Sequence, residues 1–162
     1  MPHRFYLIAI SVIISSAYVQ PSRHGSASSL LYELSEGGRF MRVLVVDDDE
    51  IFCRFLVEVL DEVGIVATSV TDGFAAFDLV NRVTYDVCII DVRMPLILGT
   101  ELAEAITELH PRTKFILASA FADRLLREYA RRKGMLLLSK PFTRLQLLDA
   151  VKLAAGESLG RN

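Results

Sequence analysis

Three consecutive aspartates, Asp47-Asp48-Asp49, follow the apolar run Val43-Leu44-Val45-Val46, and Glu50 comes next. Like charges this close repel and raise one another's pKa. Three more polar residues stand in similar settings: Asp91 closes DVCIID, Ser119 closes KFILAS, and Lys140 follows MLLLS and precedes Pro141. Carboxylates, a hydroxyl and an ammonium together suggest one chemistry. Carboxylates crowded in one pocket stay ionised only if they share a cation. Mg²⁺ suits them, because it is hard and takes one or two carboxylates together with phosphate and water. A carboxylate beside that ion is a nucleophile toward phosphorus and yields an aspartyl phosphate. Lys140 then supplies a point charge for the phosphoryl oxygens and Ser119 a hydrogen-bond donor. Ala120 is small and leaves a path to the acid. Each residue also has a plainer reading. Aspartates before a helix cap it, which is the reading taken for Asp49. Asp91 could be a turn residue, Ser119 a loop serine and Lys140 part of a solvated turn. The functional reading rests on the joint pattern, not on any one residue.

These residues need elements to bring them together. From Arg42 onward, short apolar strands alternate with amphipathic stretches. The strands are predicted at 42–46, 65–70, 86–91, 114–119 and 135–139, several of them apolar without alternation, as in a parallel sheet covered on both faces. Helices are predicted over 50–63, 74–83, 100–109, 123–133 and 143–155. In the first of them Ile51, Phe55, Val59 and Leu60 are read as one stripe, with Gly64 ending the helix. Asp123 is positioned to cap the fourth helix and Gly134 to end it. Five strand-helix units imply an α/β fold with an open, doubly wound sheet and its site at the carboxyl ends of the strands. Asp47, Asp48, Asp91, Ser119 and Lys140 all stand at such ends.

The 162 residues are 52% hydrophobic, enough for one domain with a core. A net charge of −2 argues against direct DNA binding. Cys53 and Cys88 lie in apolar runs and read as buried hydrophobes in a reducing compartment. His3, His24 and His110 share no ligand-like spacing, which leaves no basis for a zinc site. The first forty residues differ from the rest. Phe5 to Val19 is an apolar run behind Arg4, with Ser15-Ser16-Ala17 after its core, and a linker-like QPSRHGSASS follows. The run is open to three readings: a secretory signal, a membrane anchor shorter than the roughly 20 residues a span needs, or sequence outside the working protein.

The segments VLVVDDDE, IIDVRMP with Gly99 eight residues past the aspartate, ILASA and SKPF at 139–142 occur in this order and spacing. With them the chain from Arg42 to about Ala155 resembles a CheY-like receiver domain of two-component response regulators. The resemblance implies a flavodoxin-like (βα)5 fold, a five-stranded parallel sheet in the order 2-1-3-4-5. Asp91 is then the phosphorylated aspartate. Asp47 and Asp48 form the acidic pair for Mg²⁺, Asp48 as the more direct ligand, and the backbone carbonyl of Arg93 completes the set. Ser119 stands where the switch hydroxyl belongs, and Lys140 is the lysine that pairs with the phosphoryl group. A cis Lys140-Pro141 bond is expected. Arg93 and Phe121 flank the phosphate site. One position departs from the family: Leu137 stands where an aromatic residue usually turns inward on activation.

The resemblance further implies a histidine kinase or histidine phosphotransfer protein as donor. The output face is formed by the helix at 123–133, strand five and the last helix, and meets a downstream protein. The Arg131-Arg132-Lys133 cluster there reads as a solvated helix end or as part of a docking patch. The chain is then no enzyme beyond accepting and shedding its own phosphoryl group, in a cytoplasmic setting. Two rivals carry less weight. A receiver-fold interaction module with a degenerate switch is suggested by Leu137. A haloacid-dehalogenase-type phosphohydrolase would place its acidic pair after the lysine, where only Asp149 is found, and would leave Asp91 without a role. The domain is expected to span 41–156, with an extension at 1–40 and a tail at 157–162. MRVLVVDDDE is a typical receiver opening, and Glu36-Gly37-Gly38 could encode a ribosome-binding site. Met41 is therefore the expected natural start, and a membrane is a partner only if residues 5–19 are a genuine anchor.

Overall fold

The structure, a computed structural model, describes residues 40–156. The expected tail, and all of the expected extension except Phe40, lie outside them. Five strands alternate with five helices: β1 (Arg42–Val46), α1 (Glu50–Asp61), β2 (Val66–Val70), α2 (Gly73–Val80), β3 (Val87–Asp91), α3 (Gly99–Leu109), β4 (Lys114–Ser119), α4 (Arg124–Lys133), β5 (Leu136–Ser139) and α5 (Arg144–Ala155). All pairings are parallel, in the order β2-β1-β3-β4-β5. The expected fold is therefore the one observed.

The continuous apolar runs are explained by two separate cores, one on each face of the sheet. Leu44, Val46, Cys88, Ile90 and Leu117 point to the face covered by Ala76 and Val80 of α2, Leu102 and Ile106 of α3 and Ala130 of α4. Val43, Val45, Val87, Ile89 and Ile116 point to the other, covered by Cys53, Leu56, Val59 and Leu60 of α1 and by Leu147 and Val151 of α5. Successive residues of a strand face opposite ways, so a strand buried on both sides must be apolar throughout. Cys53 and Cys88 are buried free thiols.

The helix ends follow local rules. Asp49 accepts hydrogen bonds from the Ile51 and Phe52 amides, and Asp123 from the Leu126 amide. Thr143 and Gln146 form a reciprocal capping box on α5. Gly134 ends α4 with φ +66°, a conformation glycine adopts without a Cβ penalty. Two expectations need correction. β2, β3 and β5 each begin one residue late, and α1 and α2 end early, at Asp61 and Val80, where tighter turns close them. The stripe assigned to the first helix is also half wrong. Val59 and Leu60 are buried, but Ile51 is 72% exposed and Phe55 is also outside. Cys53 and Leu56 take their places, because Cys53 must lie against β1, where its thiol donates to the Asp47 carbonyl.

Candidate functional site

The sheet register builds the site. Val46 pairs with Ile90, and Ile90 with Leu117, so the next residues along, Asp47, Asp91 and Ala118, form one row at the carboxyl edge. Ser119 pairs with Ser139 one step further, and the Lys140 amide extends that ladder to the Ser119 carbonyl at 2.8 Å. Lys140 thus enters from β5 beside acids carried by β1 and β3. The Lys140-Pro141 bond is cis.

Lys140 Nζ lies 2.5 Å from Asp47 Oδ2 and 2.5 Å from Asp91 Oδ1. The second oxygens are held by main chain. Asp49 N–H donates to Asp47 Oδ1 at 3.1 Å, and Arg93 N–H to Asp91 Oδ2 at 2.6 Å. Asp47 is 3% exposed and Asp91 8%, so two carboxylates sit at the edge of a low-dielectric core with one ammonium between them. Burial pushes the Asp47 carboxyl up, against the downward pull of Lys140 and of the Asp49 amide, and burial prevails. Burial alone would lower the Lys140 pKa, but the hydrogen bonds to Asp47 and Asp91 outweigh it and the ammonium is held above its ordinary value. Among the described residues, every buried side-chain nitrogen and oxygen has a hydrogen-bond partner.

Of the residues singled out in the sequence, the structure brings Asp47, Asp91 and Lys140 into direct contact. Ser119 is buried at the adjacent strand end, and its Oγ accepts a hydrogen bond from the Phe121 amide at 3.1 Å. Arg93 and Phe121 meet across the mouth, the guanidinium 4.6 Å from the ring centre. Asp48 is exposed beside the pair. Among the described residues no three His, Cys, Asp or Glu side chains are gathered as a metal-binding group. The expected pocket of three carboxylates is instead two carboxylates around a lysine, with the third on the rim. That donor set still fits Mg²⁺, which needs only one or two protein carboxylates and completes its shell with water and phosphate oxygens.

Phe52 was not singled out in the sequence. Its ring lies 4.6 Å from Lys140 Nζ and packs edge-on against Phe142, with ring centres 5.5 Å apart. It gives the ammonium an aromatic wall. Nothing in an apolar residue near a helix start marks that role; the position follows from the approach of α1 to the segment after β5. Gly99 carries a different signal. A Cβ there would meet the Asp91 carbonyl oxygen at 2.0 Å, so only glycine lets the start of α3 pass this close behind the acid.

Residues 43–152 match the family model described as the response regulator receiver domain. The response regulator receiver protein CpdR of Brucella abortus (strain 2308) is 30% identical over 112 residues, 68% of this chain and 93% of that protein. A response regulator receiver protein of Anaeromyxobacter sp. (strain Fw109-5) is 34% identical over 110 residues, 67% of this chain but 46% of that protein, so the chain spans about half of that relative's length. The solved receiver domain of the Francisella response regulator 1452 superposes with a TM-score of 0.67 at 30% identity, covering 73% of this chain and 98% of that one.

Proposed function

The chain belongs to the family of response regulator receiver domains, and from that premise we propose that it is the phospho-acceptor of a two-component phosphorelay, taking a phosphoryl group on Asp91 from a histidine kinase or a histidine phosphotransfer protein. The observation that carries this reading is the meeting of Asp47 and Asp91 on Lys140 Nζ at the carboxyl edge of the sheet. A carboxylate oxygen of Asp91 attacks the phosphorus, a P–O bond forms, the P–N bond to the donor imidazole breaks, and that nitrogen leaves with the electron pair. The Arg93 amide holds Asp91 Oδ2 and fixes the plane of the carboxylate. Lys140 offers positive charge to the arriving phosphoryl oxygens, and Ser119 offers them its hydroxyl. Asp47, Asp48, Asp91 and the Arg93 carbonyl are the residues that would hold Mg²⁺, which neutralises phosphoryl charge when bound.

Donation by Ser119 to a phosphoryl oxygen changes the bond its Oγ now accepts from the Phe121 amide, and the β4–α4 segment responds. The readout then passes to the face made by α4, β5 and α5, through a shift in a pre-existing equilibrium. Leu137, half-buried against the core on the α2–α4 side of the sheet, has no ring to turn at this step, so the aromatic half of the family's switch has no counterpart at that position. It is the one feature that favours a pure interaction module as a second reading. No helix among the described residues is long and apolar enough to cross a membrane. A cytoplasmic phosphorelay is the setting this reading needs. The chain accepts and loses its own phosphoryl group and turns over no other substrate.

Mass spectrometry tests the reading after incubation with Mg²⁺ and a small acyl phosphate. The expected outcome is a phosphoryl mass gain that is lost in Asp91→Asn. No gain, or the same gain in the variant, overturns it.

A further inference from the structure

The charge of this molecule is unevenly divided. The chain is net −2, yet α4 alone carries Arg124, Arg127, Arg131, Arg132 and Lys133 against a single acid, Glu128. The rest of the chain is therefore markedly acidic, and its basic counterweight is one ten-residue helix. Basic residues in a last turn complement the helix dipole, which explains Arg131, Arg132 and Lys133. It does not explain Arg127, whose Nε donates to the Ala122 carbonyl at 2.9 Å while the rest of its guanidinium is exposed, and it disfavours Arg124, which stands in the first turn.

The arrangement on the helix is specific. Arg124, Arg127 and Arg131 are exposed and fall at i, i+3 and i+7, one stripe about a quarter turn from the buried Ala130 and opposite the half-buried Tyr129. Lys133 is drawn off the stripe to Glu104 of α3 at 2.7 Å, and Arg124 holds Glu128 at 2.9 Å. The Arg131 and Arg132 side chains make no ion pair among the described residues. Leu125, 74% exposed, lies about 100° round the helix from Arg124, beyond Glu128. Four of the five cations are arginines, whose planar fork pairs bidentately with carboxylates.

The neighbouring helix limits what can bind. Glu101, Glu104 and Glu108 repeat the i, i+3, i+7 spacing on α3, and Tyr129 of α4 reaches across to the Thr100 carbonyl and to Glu104. A broad polyanion such as a nucleic-acid duplex or an anionic bilayer would cover both helices and meet the α3 carboxylates. A narrow segment laid along α4 avoids them. The basic stripe is about 10 Å long at the helical rise. Carboxylates at the same i, i+3 or i+4, i+7 spacing match it, with an apolar residue set against Leu125.

We propose that the exposed arginine stripe of α4 docks an acidic segment of a partner protein, whose carboxylates pair with Arg124, Arg127 and Arg131. Its location on the output face rests on the receiver reading above, while its chemistry rests on charge alone. The test uses the full chain and a fluorescein-labelled helical peptide with glutamates at that spacing and one leucine. Anisotropy gives affinity and backbone amide shifts give the site. The expected result is shifts confined to α4 and its flanks, and affinity reduced about 10-fold or more in Arg127→Glu/Arg131→Glu, with less than about 2-fold loss in the equally charged control Arg82→Glu/Arg112→Glu, both exposed and outside α4. A duplex and phosphatidylserine vesicles are expected to bind more weakly than the peptide. Shifts elsewhere, equal loss in the control, or tighter binding to the duplex or the vesicles overturns the proposal. The phosphoryl mass gain is read on the same wild-type sample. Peptide bound on α4 without a mass gain supports the stripe and removes only the receiver reading, and a mass gain without peptide binding does the reverse.

Discussion

α1 and α4 begin alike and end up doing different work. Both start at an aspartate cap and both show an apolar and a charged side. α1 buries Cys53, Leu56, Val59 and Leu60, whereas α4 buries Ala130 alone and rests on half-buried Leu126 and Tyr129. α1 also contributes to the site directly, through Cys53 against the Asp47 carbonyl and Phe52 against Lys140. α4 touches the site only through the segment that carries Phe121. What anchors α4 is mainly polar: its cap, its glycine end, and the contacts of Tyr129 and Lys133 with α3. A helix held by few apolar contacts opens and shifts more readily than one sunk in the core. α1 is thus sunk in the core, whereas α4, held mostly by polar contacts, is the helix expected to be displaced more easily.

The largest effect should come from truncating the two anchors. Leu60→Ala leaves a cavity under α1 and is expected to cost about 3 kcal/mol, and Leu126→Ala on α4 about 1 kcal/mol, read from urea midpoints. Equal losses would break the contrast.

Alkaline pH should separate the helices next. Burial pushes the Cys53 thiol from 9.0 to about 11 and the Cys88 thiol from 9.0 to about 12. Burial and the bond to Glu104 push Tyr129 from 10.0 to about 12. Each folded pKa lies above its unfolded value, so the neutral forms favour the fold. That stability is complete below the ordinary pKa and is lost as pH rises through the folded one. Lys140, also raised, acts in the same direction. Unfolding midpoints should therefore fall between pH 9 and 12. Cys53→Ala should flatten the lower part of that fall and Tyr129→Phe the upper. A flat profile in the wild type would show that the two helices are not held in the way described.

The smallest difference is expected at the caps. Asp49→Ala and Asp123→Ala should each cost about 1 kcal/mol, because a cap bonds its own first turn whatever the helix packs against. Thermal melts that rank the two far apart would show that tertiary context enters even there.

The misreadings came where neighbours matter. Cap residues, glycine ends and apolar strand runs act within a few residues, so the order of elements was legible, as was the row of polar residues at strand ends. The stripe on α1 was misread because several apolar residues of that helix could face inward, and only the position of β1 selects Cys53 and Leu56 over Ile51 and Phe55. The pocket was expected to hold three carboxylates. Which of Asp47 and Asp48 turns inward depends on the pleat at the end of β1, and the register with β3 turns Asp47 toward Asp91. The aromatic wall at Lys140 had no sequence mark, since Phe52 and Lys140 are far apart in the chain.

The sequence by itself determined the alternation of strands and helices, the two-sided burial of the central strands and the types of residue at their carboxyl ends, because local backbone preference and hydrophobic period are written residue by residue. Only the tertiary structure decided that Asp47 and Asp91 share Lys140, that Asp48 stays on the rim, and that the arginines of α4 face away from the core beside an acidic α3. Those outcomes depend on register, helix phase and the Coulomb energy of groups brought together from distant positions, and none of these exists until the chain has packed.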